Sequence, residues 1–432
     1  MFVSTKQKQI AMLAKNNPAM AFTSLSHHID YDWLLRAYEL TRKNGAVGVD
    51  RQTAAAYGST LELNLKNLLE RIKSGKYRAP AIRRVYIPKG DGGLRPLGIP
   101  TFEDKIVQRA VVMLLEPIYE QDFYDCSFGF RRKHSAHKAL ESLRNHIMRE
   151  DGRWVFDVDL RKYFDTIDHQ HLRKFIARRV VDGVVRKLID KWLKASVFEN
   201  GKLSYLGEGT PQGGVISPLL ANIYLHYVLD DWFATVVKPR MKGRCSLTRF
   251  ADDFVLVFDN QNDYRRVREV LEKRFQRFGL TLHPEKSKLI DFRFRSKEQK
   301  SDRNEIKSFD FLGFTHYWGR SRRGYKVVFR KTAKSRVART LIVFNELCKR
   351  SRHRPVVDQM VTLNRMLVGH YAYFGITGNS KPLRGVYEHV IRMWHKWLCR
   401  RSRKSYIPWR RFRLLLSSYP LAIPKIYHCY VK

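Results

Sequence analysis

Residues 249 to 258 read Arg249-Phe-Ala-Asp-Asp-Phe-Val-Leu-Val-Phe258. Two adjacent carboxylates, Asp252 and Asp253, stand directly before an apolar run, Phe254 to Phe258. An unbroken apolar run of that length fits a strand buried on both faces. Leu247 to Phe250 can pair with Val255 to Phe258, which predicts a hairpin with an Asp-Asp turn. Two acids at the mouth of a buried strand are costly unless positive charge sits on them. A divalent cation supplies that charge, because Mg²⁺ takes hard oxygen ligands from one or two carboxylates plus phosphates. An isolated Asp-Asp reads equally as an acidic turn, so the rest of the chain has to decide.

A second acidic cluster lies in Trp154-Val-Phe-Asp-Val-Asp-Leu160. Asp157 and Asp159 alternate with apolar residues and so share one face of a predicted strand over 154–160. If that strand neighbours the Asp252 hairpin, Asp159, Asp252 and Asp253 converge. Three carboxylates are the minimal ligand set for two Mg²⁺ ions roughly 4 Å apart, which activate an attacking 3′-hydroxyl and stabilise leaving pyrophosphate. Phe164, preceded by Tyr163, lies where a ring beside a nucleotide sugar would exclude a 2′-hydroxyl; alone, the two rings read as core. Gly209-Thr-Pro-Gln-Gly-Gly214 is a loop whose glycines allow close backbone approach, with Gln212 placed to pack against template or nucleotide. Lys89 and Arg95 bracket a Gly-rich hairpin and can reach a triphosphate by charge and bidentate contact. Lys286 can neutralise pyrophosphate; a solvated surface lysine is its other reading.

The chain has 432 residues, enough for two or three domains. With 82 Lys and Arg against 41 Asp and Glu, its net charge is +41. Phosphate backbones are the first partner such an excess suggests. Residues 321–432 alone hold 26 Lys and Arg against three acids, together with Trp394, Trp397 and Trp409. Aromatic rings among cations suit nucleic acid, by stacking and charge. The five cysteines, Cys126, Cys245, Cys348, Cys399 and Cys429, form no C-x-x-C pair. That spacing argues against zinc, and the odd, scattered count fits reduced thiols in a cytoplasmic protein. Residues 1–22 have no signal-peptide pattern and no apolar run approaches 18 residues, so no membrane association is expected.

The coarse pattern interleaves strands and helices to about residue 317. Residues 1–75 read as helical and basic, with a helix over 61–72. A hairpin flanks Gly90-Asp-Gly-Gly93, and 105–118 reads as an amphipathic helix. One helix is predicted over about 168–196. Another is predicted from Ser217 as N-cap, with Pro218 at its first position, to about Phe233. A further helix over 262–278 precedes a strand at Leu280. Residues 309–314 form a short strand, and the region beyond 325 reads as mostly helical.

These motifs, in this order, resemble bacterial group II intron-encoded reverse transcriptases (maturases). The resemblance is carried by Arg84-Val-Tyr-Ile-Pro-Lys-Gly-Asp-Gly-Gly-Leu-Arg-Pro-Leu-Gly-Ile-Pro100, Ser127-Phe-Gly-Phe-Arg131, Asp157-Val-Asp-Leu-Arg-Lys-Tyr-Phe-Asp165, Thr210-Pro-Gln-Gly-Gly214, Phe250-Ala-Asp-Asp253, Gly279-Leu-Thr-Leu-His-Pro-Glu-Lys286 and Phe311-Leu-Gly-Phe314. It covers about 45–317 and continues into Leu367-Val-Gly-His-Tyr-Ala-Tyr-Phe374 and a helix over 394–403. It implies an α+β right-hand polymerase, with fingers and palm built on antiparallel sheet, followed by an α-helical thumb/maturase domain. The implied organisation is a basic N-terminal extension over 1–75, fingers and palm over 76–317, and an RNA-binding thumb over 318–432. The resemblance assigns Asp159, Asp252 and Asp253 as catalytic acids and metal ligands, Phe164 as sugar gate, and Lys89 and Arg95 to the incoming dNTP. Phe250 replaces the family's usual Tyr, and since that hydroxyl is not a metal ligand, activity is expected to survive. No Cys/His spacing of the endonuclease kind occurs, so priming from nascent DNA at a replication fork is expected rather than second-strand nicking.

The expected function is therefore an RNA-directed DNA polymerase using Mg²⁺ and dNTPs. It would bind group II intron RNA, assist its splicing, and copy it into target DNA from an RNA template/DNA primer duplex. Two other readings stand beside it: a domesticated reverse transcriptase of phage defence or DNA repair, and an RNA-binding splicing cofactor with a vestigial polymerase. Clustered acids without a metal to serve are costly, which argues against the last.

Overall fold

The computed structural model describes residues 2–88, 92–149, 152–199, 202–205, 209, 213–294, 308–402 and 405–429. The chain divides into two compact units, Met1–Ser142 with Phe156–Leu289, and Leu143–Val155 with Ile290–Lys432. Eleven strands occur among the described residues: β1 Ile82–Pro88, β2 Leu94–Ile99, β3 Trp154–Val158, β4 Ser196–Glu199, β5 Lys202–Tyr205, β6 Cys245–Phe250, β7 Asp253–Phe258, β8 Lys288–Asp291, β9 Phe309–Phe311, β10 Phe314–Arg320 and β11 Lys326–Thr332. They form three sheets, ordered β2-β1-β4-β5, β6-β7-β3-β8 and β11-β10-β9.

The first unit is organised around the helix Phe102–Asp122. Thr101 caps it by accepting from the Asp104 amide at 3.2 Å. The helix is buried on most of its faces, from Ile106 and Val107 through Leu114 and Leu115 to Ile118 and Tyr119. The amphipathic helix expected over 105–118 is thus a core helix, since neighbours cover the side its few polar residues would have kept wet. Two of those polar residues are buried on purpose. Asp104 accepts from Tyr77, from Trp192 Nε1 at 2.7 Å and from Gln108 Nε2 at 2.9 Å. Gln108 Oε1 accepts from the Val215 and Ile216 amides at 2.7 and 3.3 Å. The helix Ser217–Leu225 therefore begins with Ile216 at its N-cap and a carboxamide from another helix serving the free amides. Ser217 is its first residue rather than the cap, so Pro218 falls at the second position, still within the first turn.

Other expectations change at points where a backbone group finds a different partner. The single helix predicted over 168–196 is two, His169–Ala177 and Gly183–Leu193. Between them the Val181 amide bonds to Phe22 O at 2.9 Å, and Asp182 caps the second helix by accepting from Val184 and Val185. The helix from Ser217 continues past Phe233 through π-turns at His226–Asp230 and Phe233–Val237. Leu280 starts no strand, because its amide bonds back to Phe275 O at the end of helix Gln261–Arg277. The 309–314 strand is two strands, β9 and β10, reversed at Leu312 and Gly313 with φ of 49° and 81°. The pairs β1–β2 and β6–β7 are antiparallel as expected; β4–β5 is an additional hairpin joined to β1 in parallel.

In the second unit β9, β10 and β11 form an antiparallel sheet, so helix begins at Lys334 rather than 325. Helices Lys334–Ser351, Val356–Phe374, Ser380–Leu398 and Trp409–Ser418 enclose a core of Phe344, Leu363, Leu367, Leu383, Trp394 and Phe412. The helix expected over 394–403 ends at Leu398. Trp394 donates from Nε1 to Gln359 Oε1 at 3.0 Å, which satisfies both buried polar groups. Trp397 is half-buried against that core, donating from Nε1 to Asn345 Oδ1 at 2.9 Å, with the Arg352, Lys396 and Arg400 cations 5.5–6.0 Å from its ring.

Burial pushes the Asp104 carboxyl up from 3.8 to about 6, against the bonds from Tyr77, Trp192 and Gln108. The unfolded chain ionises Asp104 first, so this group costs stability as pH rises from about 4 to about 6. Asp104→Asn should lack that slope. Thermal unfolding of both proteins across this window is expected to show wild-type stability falling relative to the variant by about 3 kcal/mol at most; parallel pH profiles would contradict it.

Candidate active site

β7 lies beside β3 in the central sheet, which is the adjacency that convergence of the carboxylates requires. Asp157 and Asp159 are half-buried and alternate with buried Phe156, Val158 and Leu160, as the period-two pattern predicts. Asp159 follows the last residue of β3 and its backbone is clamped by the next segment: the His283 amide donates to Asp159 O at 2.8 Å, and the Arg161 amide to Thr281 O at 2.9 Å. Ser287 Oγ lies 3.4 Å from both the Asp159 amide and its carbonyl. The Gly279–Lys286 motif thus holds Asp159 from one side. It also delivers Lys286, whose Nζ stands 3.4 Å from Asp159 Oδ2.

The β6–β7 register runs from Cys245 opposite Phe258 to Phe250 opposite Asp253. The turn is therefore Ala251-Asp252, not Asp-Asp; Asp253 is the first strand residue and is exposed. Ala251 adopts φ 58°, a left-handed conformation that costs a residue with a Cβ about 1 kcal/mol or more. Its surroundings hold it there. Ser127 bridges Arg249, the Phe128 amide donates to Arg249 O at 2.8 Å, and the Arg249 amide to Cys126 O at 2.7 Å. Gly129 then passes so close that a Cβ on it would lie 2.3 Å from the Ala251 nitrogen. This explains why Ser127-Phe-Gly-Phe-Arg131 belongs with the acidic hairpin.

Burial pushes the Asp252 carboxyl up from its ordinary range, and the charge of Asp159 adds to that, while Arg95 and Arg249 oppose it. Two half-buried carboxylates whose charges repel are a donor set of hard oxygens that a divalent cation relieves. Among the described residues no three His, Cys, Asp or Glu side chains are already arranged to hold a metal ion.

The remaining site candidates divide. Arg95 is exposed on β2 with its charge acting on Asp252. Phe164 is half-buried in the turn Tyr163–Asp165, its ring 5.4 Å from that of Tyr163. Tyr163 is core, with its hydroxyl donating to Ala221 O at 2.6 Å. Gly209 packs where a Cβ would lie 2.8 Å from Phe164 O, and Gly213, with φ 113°, where one would lie 2.5 Å from Gly98 O. Lys89 and Gln212 lie outside the described residues. Sequence reasoning passed over Asn222, Asp230 and Arg249; the signals were a charged residue within the first strand of a buried hairpin and an acid within an apolar helix.

The protein-family model described as reverse transcriptase (RNA-dependent DNA polymerase) matches residues 87–316. The chain is 37% identical to protein YkfC of Escherichia coli over 289 residues, which are 60% of this chain and 76% of that protein. It is 40% identical over 276 residues to the group II intron-encoded protein LtrA of Lactococcus lactis, covering 62% of this chain and 43% of that protein. It is 29% identical over 215 residues to nuclear intron maturase 4, mitochondrial, of Arabidopsis thaliana, covering 49% of this chain and 25% of that one. The chain thus spans most of YkfC and under half of the other two. Among the described residues no helix is long and apolar enough to cross a membrane.

Gly129→Ala should drive a methyl group into the Ala251 backbone. Its expected cost is about 1–3 kcal/mol in chemical denaturation, with primer-extension activity falling further than stability accounts for. A variant as stable and active as wild type would contradict the close approach.

Proposed function

The chain belongs to the reverse transcriptase (RNA-dependent DNA polymerase) family, and from that premise we propose that it copies group II intron RNA into DNA and assists that RNA's splicing. Reverse transcriptases use divalent metal ions and dNTPs. In this chain Asp159, Asp252 and Asp253 are the proposed ligands for two Mg²⁺ ions. Such ions, when bound, activate a primer 3′-hydroxyl and neutralise the charge of the departing pyrophosphate.

The chain's own residues act around them. Asp159 and Asp252 supply carboxylate oxygens from the ends of two adjacent strands. Arg95 and Lys89 take the triphosphate. Phe164 stands against the sugar and disfavours a 2′-hydroxyl. Gln212 packs against template or nucleotide. Lys286, which stands at Asp159, meets the pyrophosphate. Residues 76–317 are read as fingers and palm, 1–75 as a basic extension, and 318–432 as the thumb/maturase region. The likeness to LtrA and to an intron maturase supports intron RNA as partner. So does Trp397 among its cations, since a ring flanked by arginines suits single-stranded RNA. Target DNA and the template–primer duplex complete the set, and the site of action is the bacterial cytoplasm, at the nucleoid when DNA is engaged.

The observation that carries this reading is the electrostatic meeting of Asp252 and Asp159 at adjacent strand ends. Primer extension on poly(rA)/oligo(dT) with dTTP and Mg²⁺ tests it. Wild type should extend the primer and Asp252→Ala should not. Extension that persists in the variant would mean the active site lies elsewhere. Affinity for intron RNA should drop about 10³–10⁵-fold between 50 and 200 mM salt if six to ten phosphates are neutralised; a flat salt profile would argue against a phosphate clamp.

A further inference from the structure

The Arg249 guanidinium is fully buried, and each of its five N–H groups has a partner. Nε and Nη2 donate to the two Asp230 oxygens at 2.7 and 2.5 Å. Nη2 also donates to Ser127 Oγ at 2.7 Å. Nη1 donates to Asn222 Oδ1 and to the Ala251 carbonyl, both at 2.9 Å. Asn222 in turn donates from Nδ2 to Gly129 O at 2.7 Å. A guanidinium is a rigid planar fork, so engaging all five donors fixes both its position and its tilt.

Charge neutralisation alone needs only Asp230. The three other donors go to the turn, to the segment lying against it, and to the helix beneath. The Ala251 carbonyl belongs to the strained turn residue and immediately precedes Asp252. Gly129, held through Asn222, is the backbone that abuts the Ala251 nitrogen. One side chain therefore restrains the turn from two directions. Its counter-ion Asp230 closes the π-turn His226–Asp230, a distortion that occurs often at functional sites.

We propose that Arg249 is a positioning residue for polymerisation: it sets the pitch of the Ala251-Asp252 turn, and so the placement of the Asp252 carboxylate, without itself touching substrate or metal. This rests on the polymerase reading of Asp252. A lysine cannot do the same work, because one ammonium with three donors does not span Asp230, Ser127, Asn222 and Ala251 O.

The decisive variant is the pair Arg249→Met with Asp230→Leu. Replacing both partners of a buried ion pair by apolar residues of similar volume preserves folding far better than removing one. The melting temperature should fall less than in Arg249→Met alone, since Ser127 Oγ, Asn222 Oδ1 and the Ala251 carbonyl lose a donor but no charge is left buried without its partner. The turn nevertheless loses its restraint. A misplacement of about 1 Å is enough to cost about 100-fold in kcat for dTTP incorporation, with KM and RNA affinity held within about threefold. The Mg²⁺ concentration for half-maximal rate should rise, which a merely structural role would not produce. A folded double variant with wild-type kcat and Mg²⁺ dependence overturns the proposal. Should the pair not fold, Arg249→Lys decides by the same readout: a folded Lys variant losing at least about tenfold in kcat supports it, and one with unchanged kcat overturns it. Wild type that fails to extend any primer sinks the polymerase reading instead, so the two failures are distinguishable.

Discussion

Moving a guanidinium out of water costs several kcal/mol, and Arg249 has no solvent exposure at all. Its surroundings must therefore supply both a countercharge and a partner for every N–H. Asp230 supplies the countercharge, and burial, which would lower the arginine's pKa, is overridden by it. Removing one member of such a pair costs about 3–5 kcal/mol. The consequence is that three chain segments, the one at Ser127, the helix carrying Asn222 and Asp230, and the turn at Ala251, have one mutual arrangement. The acidic turn is set into that arrangement rather than left to its own conformational preferences.

The same logic recurs at Asp104. Buried Asp104 has neutral partners only in Tyr77, Trp192 and Gln108, and Gln108 passes the constraint to the Val215 and Ile216 amides. The segment leaving the Gly209–Gly214 motif is fixed at its helix entry, while Gly213 packs against Gly98 of β2. Satisfied polar groups inside the core thus hold loops whose own sequence carries little conformational preference. Asp159 is held differently, by the main-chain bond its carbonyl accepts from the His283 amide and by the one the nearby Arg161 amide donates to Thr281 O. Its side chain stays half-exposed beside Lys286, where it is accessible to a ligand.

The carboxylates and the hairpin were legible because their signals are local. A pair of acids leads an apolar run within 252–258, and a period of two lies within 154–160; the hairpin follows from the first of these, though not the register that sets Phe250 opposite Asp253. The turn was misjudged by one residue because a left-handed Ala251 is not a propensity; it is imposed by Gly129 and Arg249 from elsewhere. Arg249 was invisible as a hub because its partners lie 19, 27 and 122 positions away. The break at Asp182 and the buried helix Phe102–Asp122 were missed for the same reason. A tertiary partner, Phe22 in one case and a surrounding core in the other, decided what periodicity left open. Tyr163 shows the converse, since its core reading needed only its neighbours.

We propose that carboxylates at adjacent strand ends, Asp159 and Asp252, share divalent cations beside a restrained turn. Counting bound Mn²⁺ by electron paramagnetic resonance, with primer–template and a non-hydrolysable dNTP analogue present, tests that claim most directly. The account predicts two ions per wild-type chain in weak magnetic coupling, with both the coupling and one ion or more lost in Asp159→Ala. Two coupled ions that persist in that variant, or a wild-type complex that binds none, would contradict it.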